Sequence, residues 1–388
     1  MDIAGGIYRE LCETPKWDEE FGSGGRAASA VSAISATCTL HSYCESANSR
    51  GIRNLQLMGI DVRCKSRVGP IVFAYFHPLS KPHIKPDRFA IQRYEPLHVT
   101  AKSVLRFGFL EGSAVVNASR AVYDPQTSLD PELFAANGSR ADELALVLNE
   151  AELLKYAGSD SVSAAANTLL SGKLADVVVV KQGIRGASVF QQASVARTTP
   201  YRSSAVFKIG TGDVFSAVFS YYWAEVGMSP VDASDLASRA VSSYCETRQL
   251  PLAPDFAVHR APIVGTPHEH VLLRGSAATI GRRFTLEEAR FSLRELGIDV
   301  AAPDLGDASP SSQPTSLLVI SDGLSDAAIL DICREHPAAN NISILDEEGT
   351  ISPTILVSSV PWKVFDDFTT ALYAACWSTT LPVGHSTG

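Results

Sequence analysis

No run of about 18 apolar residues, the length a membrane-crossing helix needs, occurs in this chain. The start, Met1-Asp2-Ile3-Ala4-Gly5-Gly6, carries neither a basic region nor a long apolar segment, so no targeting sequence and no membrane partner are expected. There is no Cys-x-x-Cys pair, and the seven cysteines (Cys12, Cys38, Cys44, Cys64, Cys245, Cys333, Cys376) are scattered and odd in number. That is the usage of reduced, mostly buried thiols in a cytoplasmic protein. An excess of positive charge is also missing. The net charge of −9 speaks against nucleic acid or an anionic membrane as the main partner. What is present is a globular composition, 45% apolar and 19% charged, over 388 residues. This is enough for one large domain with a smaller one, or for two of similar size.

The stretch around which the chain is organised is Phe207-Lys208-Ile209-Gly210-Thr211-Gly212-Asp213-Val214-Phe215, continuing to Ala224. A glycine-rich turn that opens a helix exposes unsatisfied amides at the positive end of the helix dipole, which makes an anion site. An acid at the mouth of such a site suits a base that takes a proton from a hydroxyl attacking a bound phosphate. The same four residues also suit a tight turn with an N-capping Asp. The following residues, Val214, Phe215, Val218, Phe219, Tyr222 and Trp223, leave almost no polar face, so the helix is expected to be buried.

Ile209 to Phe215 resembles the Gly-Ala-Gly-Asp signature of the ribokinase-like (PfkB) carbohydrate and nucleoside kinases, with Thr211 where that family has Ala. The resemblance implies that Gly210, Thr211 and Gly212 form an anion hole and that Asp213 is the catalytic base. Asn149-Glu150-Ala151-Glu152 resembles the family's Asn-x-x-Glu motif, which implies that Asn149 and Glu152 organise Mg2+ and phosphates, largely through water. Lys181-Gln182-Gly183-Ile184-Arg185-Gly186 resembles the turn that borders ATP. Lys181, Gly183, Arg185 and Gly186 are thus candidates for the nucleotide, with solvated charges as the other reading of Lys181 and Arg185. Glu10 aligns with an acid that holds substrate hydroxyls. Gly24, Gly25 and Arg26 align with a Gly-Gly-x-x-x-Asn segment lining the sugar pocket, Arg26 standing for the Asn. An Arg there suits a phosphate or carboxylate on the acceptor.

The patterning along the chain is that of an α/β protein. Ala27 to Cys38 reads as a helix, Ile71 to Phe76 as part of a small β lid, and Ala114–Asn117 and Ala121–Asp124 as strands. Leu144 to Tyr156 has helical spacing, and Val177-Val178-Val179-Val180 is the continuous apolar run of a parallel strand covered on both faces. Four prolines and three histidines in residues 251–269 and just beyond mark a boundary, expected as a linker over 256–269 between domains 1–255 and 270–388. His268-x-His270 has no evident third ligand.

Beyond the boundary a second α/β unit is expected. Its strands are read at Val271–Leu273, Ile298–Val300, Ser316–Ile320, Asn341–Leu345 and Thr354–Val357. Its helices are read at Leu286–Leu296, with Thr285 and Glu288 in capping-box spacing, at Ala327–Glu335 and at Trp362–Trp377. Its layout resembles nucleoside 2-deoxyribosyltransferases, which implies a carboxylate near Asp331 acting on an N-glycosidic bond.

The expected fold is therefore a ribokinase-like three-layer α/β sandwich with a small β lid, followed by a smaller flavodoxin-like α/β domain. The expected activity is transfer of the γ-phosphoryl group of Mg2+-ATP to a hydroxyl of a small-molecule sugar or nucleoside. The alternative is an N-glycosidic-bond transferase or hydrolase centred on the C-terminal unit, with the first half sensing nucleotides. The acceptor is not legible in the sequence. Nor is the oligomeric state, a homodimer being compatible with it.

Overall fold

The structure is a computed structural model that describes residues 1–308, 314–352 and 362–377. The chain divides into two compact units, Met1–Ser203 with Phe207–Ile263, and Ser204–Val206 with Val264–Gly388. Among the described residues no helix is long and apolar enough to cross a membrane.

The first unit begins β1 (Asp2–Ala4), β2 (Arg9–Cys12), β3 (Trp17–Glu20), α1 (Gly22–Val31), β4 (Thr39–Cys44), α2 (Arg50–Leu57) and β5 (Asp61–Ser66). It continues with β6 (Val72–Tyr75), β7 (His83–Lys85), β8 (Leu97–Phe107), β9 (Ala114–Asp124), β10 (Arg140–Asn149), α3 (Glu150–Ala157) and α4 (Val162–Ser171). It closes with β11 (Val177–Lys181), β12 (Ala187–Gln191), β13 (Ser194–Thr198), α5 (Thr211–Ser220) and α6 (Pro230–Thr247). The main sheet is ordered β13-β12-β11-β10-β9-β8-β1-β4-β5, and the small sheet is ordered β3-β2-β6-β7. Pairing is parallel from β5 through to β11 and antiparallel at β12 and β13.

The valine strand shows why this sheet needs helices on both sides. Val177 and Val179 belong to the core cluster that holds residues of α1, α2, α5 and α6, while Val178 and Val180 belong to the one that holds residues of α3 and α4. A strand buried on both faces has no polar alternation to show. The result is three layers.

β8 and β9 depart from the usual crossover. They pair in parallel from Leu97↔Ala114 to Phe107↔Asp124, yet only Gly108–Ser113 links them. A straight strand of that length spans roughly 35 Å, and six linking residues reach about 25 Å at most. The register steps over Lys102 and Ser119, and again over Asp142 in β10. The three strands share this irregularity at neighbouring positions, and so short a link requires that the β8–β9 pair be bent, not straight.

Several boundaries differ from the sequence reading. Leu144–Leu148 belongs to strand β10, and α3 starts at Glu150, because tertiary pairing with β9 and β11 overrides a helix-like spacing. α1 starts at Gly22 instead of Ala27. The helix of α5 passes into a π-helical turn over Tyr221–Val226. The proline-rich stretch is not free linker as far as Ile263, since Leu252 and Phe256 are buried in the core of the first unit.

The second unit runs β14 (His270–Gly275), α7 (Ile280–Glu295), β15 (Asp299–Ala301), β16 (Ser316–Ile320), α8 (Asp326–Glu335), β17 (Asn341–Leu345), β18 (Trp362–Phe365) and α9 (Phe368–Cys376). Its all-parallel order, β15-β14-β16-β17-β18, is the flavodoxin-like 2-1-3-4-5 arrangement. Thr279, not Thr285, caps α7; Thr285 lies one turn inside and its hydroxyl donates to the Gly281 carbonyl. The strand expected at Thr354–Val357 lies outside the described residues. Trp362–Phe365, expected as the start of the last helix, is a strand.

The burial of α5 gives a direct check. Phe219 is fully buried in the core shared with α1 and α6. Phe219→Ala is expected to destabilise the first unit by about 3–5 kcal/mol in urea unfolding. A loss below about 1 kcal/mol would place α5 outside the core.

Candidate active site

The carboxyl ends of β1, β8, β9, β10 and β11 lie side by side in the main sheet, and the start of α5 meets them. α5 opens at Gly210, whose φ of +75° is left-handed and whose side has no room for a methyl group. A Cβ at Gly210 would sit 2.1 Å from Nε of Arg26. No side chain caps the helix, and the first intrahelical bond runs from Val214 N to Gly210 O at 3.1 Å. The amides of Gly212 and Asp213 therefore have no acceptor within the helix. The helix start at the glycine-rich turn is thus uncapped, and Asp213, inside the first turn, is not its N-cap.

Asp213 is 8% exposed, and both its carboxylate oxygens are engaged. Nη1 of Arg26 donates to Oδ2 at 3.2 Å, and Nε2 of Gln126 donates to Oδ1 at 3.1 Å. Burial pushes the Asp213 carboxyl up to about 6; Arg26 opposes this, while Glu10 and Asp124 add to it. A group with that value is mostly ionised at neutral pH and still basic enough to accept a proton.

Arg26 is only 1% exposed. Its fork is held by Glu10, with Nη1 donating to Oε1 at 2.8 Å and Nη2 to Oε2, and Nε donates to the Tyr244 hydroxyl at 3.2 Å. The grip on an acceptor anion expected of Arg26 is thus already taken by Glu10, itself brought in by β2 of the small sheet. Gly24, expected to admit a ligand, admits backbone instead. Its amide donates to the Gly6 carbonyl, and a Cβ there would lie 2.4 Å from Gly5 O. Gly25 lies one residue on in the same helix, and a Cβ there would meet Leu55 at ordinary contact distance.

A second ion pair stands beside the first. Nζ of Lys181, at the end of β11, donates to Oδ2 of fully buried Asp124 at 2.6 Å, and the Ser216 hydroxyl donates to the same oxygen at 2.7 Å. Lys181 also reaches the helix start, where a Cβ at Gly212 would lie 3.6 Å from its Nζ. Oδ1 of Asp124 accepts from Gln126 N at 3.2 Å, which helps hold Gln126 at a left-handed φ of +60°.

Asn149 and Glu152 form a reciprocal capping box on α3. Asn149 Oδ1 accepts from Glu152 N, and Glu152 Oε2 accepts from Asn149 N, both at 2.9 Å. Burial, and then the charge of Asp124, raise the Glu152 carboxyl above its usual range. Arg185 is paired with Glu150 at 3.0 Å, and Gln182 donates to the same carboxylate at 2.7 Å. Gly183 and Gly186 flank that short turn at φ +57° and +81°.

Asp124, Gln126, Ser216 and Tyr244 were not singled out by the sequence reading. Asp124 ended an apolar strand and preceded a proline, and Ser216 lay one helical turn beyond Asp213; both were weak signals. In the second unit, Asp331 is exposed on α8 and paired with Arg334 at 3.2 Å. Asp331, put forward for an N-glycosidic bond, is thus a solvated side chain with an i,i+3 partner.

Residues 141–250 match the model of a family described as pfkB family carbohydrate kinase. No curated protein matches the chain. Among solved structures, a pyrophosphate-dependent kinase in the ribokinase family, complexed with a pyrophosphate analog and myo-inositol, is 13% identical. That match covers 66% of this chain and 97% of the other, with a TM-score of 0.47. Ribokinase from Thermotoga maritima is 15% identical over 66% of this chain and 97% of its own, with a TM-score of 0.48. Fructokinase from Vibrio cholerae is 14% identical over 64% and 93%, with a TM-score of 0.44.

Breaking the buried network from the middle is expected to cost stability. Arg26→Met leaves Glu10 and Asp213 without their cation and should destabilise the first unit by about 3–5 kcal/mol in urea unfolding. Unfolding within about 0.5 kcal/mol of wild type would mean that the pair is not buried in solution.

Proposed function

We propose that this protein transfers the terminal phosphoryl group of ATP to a hydroxyl of a small polyol, sugar-like acceptor, with Asp213 as the base. The observation that carries the reading is the pairing, at one helix start, of uncapped amides with an ionisable acid whose carboxyl is raised towards neutrality. The matched family segment, residues 141–250, contains both motifs of the site, Asn149 to Glu152 and Gly210 to Asp213. In the proposed step the acceptor O–H loses its proton to Asp213 and its oxygen forms a bond to the terminal phosphorus. The bond from that phosphorus to the bridging oxygen breaks, and the nucleoside diphosphate leaves with the electron pair. The amides of Gly212 and Asp213, with Lys181, balance charge on the transferred group. Lys181 and the turn holding Gly183, Arg185 and Gly186 border the donor in this reading.

The residues present fit a divalent cation brought in with the donor. Four carboxylates (Glu10, Asp124, Glu152, Asp213) stand with two cations (Arg26, Lys181), and burial, followed by the charge of Asp124, raises Glu152. Among the described residues no cluster of three metal-ligating side chains occurs, so the ion's other ligands would be waters and donor phosphate oxygens. Glu152 and Asn149 would face it, and the ion would neutralise donor phosphates. The N-glycosidic alternative is not favoured, since Asp331 is on the solvent face.

Asp213→Asn is expected to lower phosphoryl transfer by about 10²–10⁴-fold while ATP binding, read by calorimetry, stays near wild type. Turnover within tenfold of wild type would remove Asp213 from the reaction. The acid limb of kcat/KM should fall tenfold per pH unit below about pH 6, because protonation removes the base. A profile flat down to pH 5 would contradict this assignment.

A further inference from the structure

We propose that Oδ1 of Asp213 is the atom that takes the acceptor's proton, and that Gln126 contacts the acceptor beside the reacting hydroxyl. The inference rests on the phosphoryl-transfer reading and adds which oxygen works and which residue reads the acceptor. The two oxygens of Asp213 stand in different surroundings. Oδ2 accepts from Arg26, a residue 1% exposed whose guanidinium is also held by Glu10 and Tyr244. The Phe21 ring centre lies 5.5 Å from that guanidinium, and a Cβ at Gly210 would meet its Nε at 2.1 Å. No acceptor reaches the base from that side. Oδ1 accepts from Nε2 of Gln126 at 3.1 Å, and Gln126 is exposed. The Asp213 side chain keeps 11% of its surface exposed, and of the two side chains bonded to it only Gln126 meets solvent. The carboxylate is therefore approached past Gln126.

The turn that carries Gln126 is fixed from below. Its left-handed φ of +60° is unfavourable for a residue with a side chain, and Asp124 Oδ1 holds it by accepting from Gln126 N at 3.2 Å. One N–H of the side-chain amide serves Asp213; the other N–H and Oε1 have no protein partner among the described residues. An amide offers a donor and an acceptor without charge, which suits a hydroxyl next to the one that reacts. Oδ1 has a second lone pair, so the acceptor's O–H donates to it while Gln126 stays in place. The proton passes to Oδ1 and the hydroxyl oxygen bonds the terminal phosphorus. The nucleoside diphosphate leaves with the electrons of the broken P–O bond. The other ionisable groups that act on Asp213 are Glu10, Arg26, Asp124, Lys181, Glu152, Tyr75 and Tyr244, none of them exposed.

The test uses the full chain. Gln126→Gly removes the side chain and suits the left-handed turn, so the fold is kept, and a thermal midpoint within about 3 °C of wild type verifies this. Ribose, fructose and myo-inositol serve as acceptor probes. For whichever is phosphorylated, KM is expected to rise about three- to tenfold with kcat less affected. Affinity for a non-hydrolysable ATP analogue, read by calorimetry, should stay at wild type. Thr127→Ala, next in the turn, should leave the acceptor KM unchanged. Gln126→Glu sets a second carboxylate against Oδ1 and should lift the Asp213 midpoint by about one pH unit or more from about 6. Carbon-13 NMR of aspartate-labelled protein follows that midpoint, with Asp213→Asn identifying the signal. An unchanged acceptor KM in Gln126→Gly, an equal rise in Thr127→Ala, or an unmoved midpoint in Gln126→Glu would each overturn the proposal. A moved midpoint without transfer to any probe by wild type would discard the kinase reading, and the acceptor role of Gln126 with it. Transfer by wild type that Gln126→Gly leaves untouched would keep the kinase reading and discard this proposal.

Discussion

The first unit is organised around a guanidinium taken out of water. Arg26 is held by Glu10 from the small sheet, by Asp213 from the start of α5 and by Tyr244 from α6, and Tyr244 in turn donates to the Ile209 carbonyl. Removing such charges from solvent costs several kcal/mol per ion, which only mutual pairing and full hydrogen bonding offset. Each of those elements must therefore arrive in register for any one of them to be satisfied. The network ties the small sheet to the helix that bears the candidate base, and it sets that base's chemistry. Burial raises the Asp213 carboxyl, and Arg26 keeps it from rising further.

A second charge centre follows the same rule with different elements. Asp124 ends β9 with no exposure, and Lys181, Ser216 and the Gln126 amide together satisfy it. Because Lys181 comes from β11 and Ser216 from α5, this carboxylate fixes the helix start against the strand ends. Its turn also places Gln126 on Asp213. The two centres share Asp213 through Arg26 on one oxygen and Gln126 on the other, so the base is oriented from both sides.

Much of the fold was legible because its signals are local. The valine run of β11 shows burial on both faces, and the alternating strands and helices of the second unit show a parallel sheet. The glycine turn before α5 showed an uncapped helix start. The misreadings arose where a local pattern met a stronger tertiary demand. Leu144–Leu148 has helical spacing but is claimed by pairing on both edges. Trp362–Phe365 had the hydrophobicity of a helix start but pairs with β17.

The sequence alone determined the residue types at the helix start, the order of the motifs and the α/β class, since propensity and periodicity are properties of neighbouring residues. It could not determine which charges meet. Arg26 and Asp213 lie 187 positions apart, and Lys181 and Asp124 lie 57 apart. Read singly, Glu10, Arg26 and Lys181 are as well explained by ligands as by one another. Only the tertiary structure decided that Glu10 holds Arg26 and that Asp124 holds Lys181, because the energy that pairs buried charges depends on distance and desolvation, and neither is written along the chain.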